Sequence, residues 1–166
     1  MKSNLQSALR RLSGSLFPSS NHQLSEEWLA VRYRAEQGDA EAQFDLGIGY
    51  ASGSIGLVDH TEAAKWLLKA AEQGDENAQF AIGAHFQRGA GVPEDHVLAV
   101  QWYRKAAEQG NRTAPFNLGY CYEVGEGVTK DLVEAFAWYS LWLKNDSDPE
   151  AVKACADLAK SMTSQQ

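Results

Sequence analysis

Histidine and cysteine are the side chains of this sequence whose types and spacing come closest to a reactive site. His60 and His96 lie 36 residues apart, and so do His85 and Cys121. Imidazoles can share a metal ion, and a thiol beside an imidazole can act as a nucleophile. Neither pair has further ligands at a fitting spacing. A period of 36 also indicates neighbouring helix pairs, whose equivalent atoms lie on the order of 10 Å apart. We therefore predict that His60 and His96 are solvated loop histidines and that the chain has no metal site, with a metal or thiol–imidazole site at His85 and Cys121 as the alternative.

Tryptophan is the other candidate, because an indole can stack on sugars or bases. Trp66, Trp102 and Trp138 recur at the same 36-residue interval, which predicts core positions, whereas Trp28 and Trp142 have no such partners and are candidates for exposure. The sequence contains no Ser-x-x-Lys nucleophile, no phosphate-binding loop and no His-Glu-x-x-His helix. We predict no catalytic residue and no cofactor.

Bulk properties exclude several classes of function. The 166 residues carry a formal charge of −7, which argues against general binding to a phosphate backbone. No apolar run reaches the 18 or so residues that a membrane-spanning helix requires. The two cysteines, Cys121 and Cys155, are too few for a disulfide framework, so we expect a reducing, cytoplasmic location.

The elements that would position these side chains follow from an internal repeat. The segment Ala35-Glu36-Gln37-Gly38-Asp39 returns 36 residues later, and again after another 36 with Asn111 in place of the aspartate. Many apolar and glycine positions share the interval. They include Ala42, Ala78 and Ala114; Leu46, Ile82 and Leu118; Gly47, Gly83 and Gly119; and Gly53, Gly89 and Gly125. A fixed period of this length indicates a stacked repeat protein.

Each repeat predicts two antiparallel helices, which we call helix A and helix B. Asp39, Asp75 and Asn111 are suited to cap the A helices, although Pro115 makes Thr113 an alternative cap in the third unit. The aspartates Asp59, Asp95 and Asp131 are suited to cap the B helices, with Glu62 and Glu134 completing capping boxes in two units. The mid-helix glycines indicate close helix–helix contact, and the glycines after helix A indicate left-handed C-caps.

The predicted fold class is all-α, a right-handed superhelical solenoid of antiparallel helix pairs. A flexible leader is expected over 1–24, followed by one solenoid domain over 25–163. Its predicted parts are a half repeat over 25–38, repeats over 39–74, 75–110 and 111–147, and a C-terminal capping helix over 148–163 that Asp148 and Pro149 open. In the leader, Leu5, Leu9, Leu12 and Leu16 fall at helical spacing beside Lys2, Arg10 and Arg11. That pattern suits a frayed leader, a helix over the open end of the solenoid, or a weak surface helix.

These residues resemble the Sel-one-like repeat, a relative of the tetratricopeptide repeat. The segment from Ala78 to Gly110 follows its pattern closely, with Phe86 in the place of the usual tyrosine. The resemblance implies a bacterial interaction scaffold whose partner is a protein or peptide. One secreted, cysteine-rich branch of the family has been linked to β-lactam hydrolysis. Its paired cysteines are missing here, so a hydrolase remains only an alternative, as does a structural role through weak end-to-end self-association.

The predicted binding face lies on the A helices, which line the concave side of related superhelices. Structural positions must repeat from unit to unit, whereas positions that vary are free to serve recognition. The varied stripe at 41, 45, 48 and 52 and its equivalents, together with position 49, contributes the predicted partner-binding residues Asp45, Ile48, Ala81, His85, Arg88, Asn117, Tyr120, Cys121 and Val124. We place the centre of recognition at His85, Arg88, Asn117 and Tyr120.

Overall fold

The structure is a computed structural model that describes residues 26–145 and six helical residues, 152, 153, 155, 156, 159 and 160. The predicted leader and most of the predicted capping helix, including Asp148 and Pro149, lie outside the described residues. Seven helices and no strands occur over 26–145. They are α1 (Glu26–Glu36), α2 (Ala40–Ser52), α3 (His60–Glu72), α4 (Glu76–Arg88), α5 (His96–Glu108), α6 (Ala114–Val124) and α7 (Leu132–Asn145).

Consecutive helices pack against each other, with the closest pairing inside each predicted unit: α2 on α3, α4 on α5, and α6 on α7. The all-α solenoid of antiparallel helix pairs is confirmed. The limits of the domain and of its units stay a prediction. The core follows the 36-residue repeat of the sequence. The alanines in the first turn of each A helix and the aliphatic residues four positions later are almost fully buried. They are Ala42, Leu46, Ala78, Ile82, Ala114 and Leu118.

The predicted helix caps are present. The side chains of Asp39 and Asp75 accept from the backbone N–H groups of Ala42 and Ala78, and Asp59, Asp95 and Asp131 accept in the same way at the B helices. In the third unit the capping side chain is that of Asn111. Helix α6 begins after Thr113, whose side chain makes no capping hydrogen bond, and the Asn111 side chain accepts from the Ala114 N–H at 2.9 Å.

The predicted capping boxes are wrong. A capping box needs the glutamate to accept from the N–H of the cap residue. Instead, the Asp59 N–H donates to the Tyr50 carbonyl at 3.0 Å, and Glu62 accepts from Lys65 Nζ at 2.6 Å. The Asp131 N–H likewise donates to the Tyr122 carbonyl. A backbone hydrogen bond to the end of helix A therefore holds the start of helix B in place.

Close contact at the mid-helix glycines is confirmed, and it identifies the central residue of each B helix. A Cβ atom on Gly83 would lie 2.8 Å from Cδ1 of Tyr103, and the equivalent glycines face Leu67 and Tyr139 in the same way. Tyr103 and Leu67 are fully buried. Trp66, Trp102 and Trp138, one position earlier, are only half-buried. The prediction that these tryptophans are core positions is thus correct only in part, since the deepest position is the next residue.

The loop between the two helices of a unit contacts the backbone of the preceding unit closely. A Cβ atom on Gly91 would lie 2.0 Å from the His60 carbonyl oxygen, and one on Gly127 would lie 2.1 Å from the His96 carbonyl oxygen. Both glycines have positive φ, at 74° and 70°. The equivalent residue in the first unit is Ile55, which is buried instead. The loop of the first unit therefore differs from the others.

Candidate partner-binding face

Twelve varied positions form the surface that we call the A face, four from each of α2, α4 and α6. None of the twelve is buried, whereas the positions between them reach full burial. The residues are Glu41, Asp45, Ile48 and Ser52; Asn77, Ala81, Ala84 and Arg88; and Thr113, Asn117, Tyr120 and Val124. Their accessibility follows from the 3.6-residue turn, which places one stripe toward solvent when the opposite stripe packs on the B helices.

The A face changes character along the solenoid. Its first unit carries the carboxylates of Glu41 and Asp45, and Ile48, which is exposed by 41%, lies between Asp45 and Ser52 along the stripe. In the third unit Tyr120 and Val124 are exposed by 43% and 48%, and no residue of the stripe is charged. Exposed side chains of this size do not take part in the packing between repeat helices, so they are available to contact a partner.

Cys121 is the one predicted binding residue that the structure places in the core, so its assignment to the face is corrected. It is 1% exposed and packs with Tyr103 and Leu118. Burial raises the pKa of its thiol to about 11, which leaves it protonated at neutral pH. Position 49 of the repeat points inward in the first unit as well, where Gly49 is buried. A small residue fits there because the position faces the helix pair.

His85, at the same position in the second unit, is half-buried and already engaged. Its Nδ1 lies 2.7 Å from the Ala90 carbonyl oxygen, and its ring meets that of His60 edge-on with centroids 5.9 Å apart. Burial lowers the pKa of His85, which favours the neutral imidazole. Within the described residues no three histidine, cysteine, aspartate or glutamate side chains gather at metal-binding distance. The pair is therefore a packing contact between neighbouring units.

A chain of polar side chains joins the second and third units beneath the A face. The Tyr103 hydroxyl donates to Gln87 Oε1 at 2.8 Å, and Gln87 Nε2 donates to Glu126 Oε1 at 3.0 Å. His96 lies between two carboxylates, with Nδ1 2.7 Å from Glu126 and Nε2 2.9 Å from Glu94. The Nδ1 contact is short but not aligned as a hydrogen bond, so it acts as an ion pair when the imidazole is protonated.

The same network reaches two predicted binding residues. Burial raises the pKa of Tyr103 to about 12, and a hydrogen bond from Asn117 and the charge of Arg88 partly oppose that increase. Both residues thus act on one buried hydroxyl, Asn117 through a hydrogen bond and Arg88 through its charge. Asn117 is half-buried and serves the junction between units, whereas Arg88 remains exposed.

Sequence reasoning missed this network because its members do not recur. Gln87 and Glu126 are 39 residues apart, so the 36-residue period does not relate them. A second polar set was also missed, although its signal was present. The buried amide of Gln79 donates to the Ala71 carbonyl and accepts from Gln109, and Gln43 and Gln73 repeat that arrangement one unit earlier.

Two concave regions border the stacked helices. One, of about 400 Å³, lies between α1 and α2 and is lined by Glu27, Trp28, Val31, Phe44, Asp45, Ile48, Gly49 and Ser54. We call it the N-terminal groove. The other, of about 390 Å³, lies beside Trp102, whose ring is covered by Lys105 Nζ at 4.0 Å from its centroid. Trp28 and Trp142, which the sequence left as candidates for exposure, are both half-buried. Among the described helices, none has the length and apolar composition to cross a bilayer.

Comparison with a family model and with solved structures gives consistent results. A family model described as Sel1 repeat matches residues 40–75, 77–111 and 114–147. A Sel1 repeat protein from Oxalobacter formigenes is 36% identical, with a TM-score of 0.70 over 79% of this chain and 98% of that one. A protective antigen of uropathogenic Escherichia coli with the same type of fold is 39% identical, with a TM-score of 0.68.

The Escherichia coli match covers 71% of this chain but only 25% of the antigen, so the chain spans a quarter of the length of that protein. Helicobacter pylori cysteine rich protein B is 21% identical with a TM-score of 0.60, over 78% of this chain and 98% of that one, and it shares the fold alone. A search of curated proteins found no match.

Proposed function

The chain belongs to the Sel1 repeat family, whose members are generally protein-interaction scaffolds, and we propose that it is a non-enzymatic adaptor that binds a peptide or protein segment on its A face. The observation that carries the proposal is the contrast between repeated and varied positions. Most buried positions of the A helices keep the same or a similar residue in every unit, with positions 43 and 49 and their equivalents as exceptions, whereas the exposed stripe changes from acidic to apolar. Variation concentrated in an exposed stripe is what a recognition surface requires.

Tyr120, Val124 and Arg88 are the residues that we propose as principal contacts. Tyrosine and arginine are the types most often found as interface hot spots. Tyr120 offers a rigid apolar ring with one polar tip, and Val124 extends that apolar area by one helical turn. Arg88 can hold a partner carboxylate through two parallel hydrogen bonds. The network of Tyr103 and Gln87 beneath them supports the proposal, because a preorganised surface loses little conformational entropy on binding.

A thiol-based enzymatic role finds little support in the described residues. Both cysteines are unpaired and buried, and burial raises the pKa of each thiol, which disfavours a nucleophilic thiolate. Unpaired buried cysteines also suit the cytoplasmic location that is part of the proposal. Measured turnover of the β-lactam nitrocefin by the purified protein, lost on a single A-face substitution, would replace the adaptor by a hydrolase. A dissociable oligomer in light scattering, with no captured partner, would favour end-to-end assembly.

The decisive experiment uses the repeat itself to choose harmless substitutions. Tyr120→Ala places in the third unit the residue that Ala84 already supplies in the second, and Arg88→Ser copies Ser52 of the first. Neither should disturb folding, because the fold already accepts these residues at these positions. Proteins captured from native lysate by the full chain would be identified, and the affinity of each candidate measured by calorimetry.

Each substitution is expected to weaken binding by at least about 1 kcal/mol, the usual threshold for a significant contact. Gln101→Ala, an exposed change on helix α5, is the matched control and should leave binding unchanged. If all three variants bind equally well, the partner site lies elsewhere. If Gln101→Ala alone weakens binding, the site is on the B helices.

A further inference from the structure

The N-terminal groove lies where a regular solenoid would place one more A helix. In the third unit, Asn117 packs beside Tyr103 of the preceding B helix, and Tyr103 donates to Gln87 of the preceding A helix. Asp45 is the equivalent of Asn117 in the first unit. Helix α1 supplies the preceding B helix, with Val31 at the register of Tyr103. The groove between α1 and α2 thus lies at the position that a preceding A helix would occupy, and no helix of the described residues fills it.

Residues 4–16 lie one period before α2, but they cannot occupy that position as a regular A helix. Arg10 falls at the register of Leu46, which is 2% exposed, and Arg11 falls at the register of Gly47. At Gly47 even a Cβ atom would lie 2.7 Å from Leu67 Cγ. Two unpaired guanidinium groups at buried positions would be strongly unfavourable. A helix over these residues must therefore present another face to the solenoid.

That other face is defined by leucines. Leu5, Leu9, Leu12 and Leu16 share one stripe of a helix, and Arg10 and Arg11 flank it on opposite sides at about 100° per residue. In register, the leucines fall at the positions of Glu41, Asp45, Ile48 and Ser52, the exposed stripe of α2. A leucine stripe left in water has no counterpart in the three units and needs a surface to cover it.

The N-terminal groove has complementary chemistry. Its apolar lining includes Val31, Phe44 and Ile48, and its rim carries the carboxylates of Glu27 and Asp45. Burial raises the pKa of Asp45, and the charge of Glu41 raises it further. The ion pairs found in the described part of the chain do not include Asp45, so a guanidinium beside it would be stabilised.

We propose that residues 2–16 of this chain bind in the N-terminal groove as an amphipathic helix, with leucines on Val31 and Ile48 and an arginine on Asp45. The nine residues between Leu16 and Glu26 can span about 30 Å when extended, which is enough to reach from the start of α1. A tether of this length gives an effective concentration on the order of millimolar, so a weak contact suffices. The inference does not depend on the proposed function.

A paramagnetic relaxation experiment on the full chain tests the contact. A spin label attached at Ser7→Cys should strongly reduce the amide signal of Ile48 and leave that of Tyr120 intact. The two residues are repeat-equivalent and almost equally exposed, at 41% and 43%, which makes them a matched pair. The natural cysteines are buried, and burial raises the pKa of both thiols, so the label is directed to the new site.

Charge reversal completes the test. Adding Arg10→Glu and Arg11→Glu should restore the Ile48 signal, and a further Asp45→Lys should reduce it again. Equal effects at Ile48 and Tyr120, or none at either, would overturn the proposal. It would also be overturned if spin-labelled protein without isotope enrichment, mixed with isotope-labelled protein, reproduced the effect, since the occupant would then be a second copy of the chain.

Discussion

The interior of the described stack and its start treat the same positions of the repeat differently. Between the second and third units, Tyr103 fills the space beside Gly83, and its hydroxyl is bonded by Gln87 and Asn117. At the start of the stack the equivalent residue is the half-buried Val31, which borders an open groove. Among the described residues, α5 packs against an A helix on each side, whereas α1 packs against one A helix, α2. The two junctions therefore differ in the number of A helices described beside the B helix.

The largest expected effect comes from opening the closed junction. Tyr103→Ala removes a fully buried ring and leaves Gln87 without its donor, so we expect it to lower the free energy of unfolding by about 3–5 kcal/mol. Trp102→Ala, at a half-buried neighbour, should cost only about 2 kcal/mol. Val31→Ala at the open junction should cost about 1 kcal/mol. Urea denaturation of the variants measures the order, and an equal cost at 31 and 103 would remove the contrast.

A smaller effect is expected from forcing two units apart at the loop. Gly91→Ala places a methyl group against the His60 carbonyl oxygen at positive φ, and we expect a loss of about 2–4 kcal/mol. Gly38 provides the control, because it also has positive φ but no atom within 4 Å of the place that an added methyl group would occupy. Gly38→Ala should cost about 1 kcal/mol, the backbone strain alone. Thermal unfolding that is equally affected by both changes would show that the loop contact adds nothing.

Next in size is the buried amide pair between the first two units. Gln79→Ala removes the donor to the Ala71 carbonyl and the acceptor of Gln109, and it should cost about 1–3 kcal/mol. The third unit has Pro115 at this position and therefore lacks the pair. Native-state hydrogen exchange of the variant should show faster opening of α3 and α4 than of α6. Uniformly faster exchange would mean that the units do not differ in local stability.

Asp45 offers the smallest and most selective test of the open junction. Its raised pKa means that the folded protein holds the proton more tightly, so stability falls as pH rises from about 3.8 through the folded value. In the Arg10→Glu, Arg11→Glu background, which removes the arginine proposed to pair with Asp45, Asp45→Asn should therefore increase stability at neutral pH, by about 0.5 kcal/mol or less. Below about pH 3.8 the difference should vanish. Asp39 should show the opposite sign, because the Ala42 N–H and then Arg34 lower its pKa. A stabilising effect that persists in acid would contradict the assignment.

The repeated part of this architecture was accessible from sequence because each position is sampled three times. Asp59, Asp95 and Asp131 each precede a helix and each cap it. The glycines Gly53 and Gly89 end their helices in the left-handed conformation, at φ 75° and 63°. Such residues act on the backbone within a few positions, so their effect can be deduced locally.

What escaped prediction depends on contacts between helices that are distant in sequence. The depth of Tyr103 relative to Trp102 is decided by Gly83 on another helix, and neither residue's type reveals which one faces that glycine. The capping boxes failed for a related reason, since the Asp59 N–H was already engaged by the Tyr50 carbonyl of the preceding helix. The residues predicted for the candidate face are half-buried or exposed except Cys121, whose side chain faces the core, and their role in binding stays a prediction.

The loop glycine that contacts a backbone carbonyl oxygen of the preceding unit affects how a repeat array can gain units. Gly91 and Gly127 contact the backbone at His60 and His96, so this part of the joint depends little on the identity of the side chains beside it. A unit that carries the glycine is therefore modular at this joint, and a tandem gene duplication of residues 75–110 would supply a ready-made connection. Growth of the array by copying needs no compensating change there, which leaves the varied stripe free to diverge afterwards.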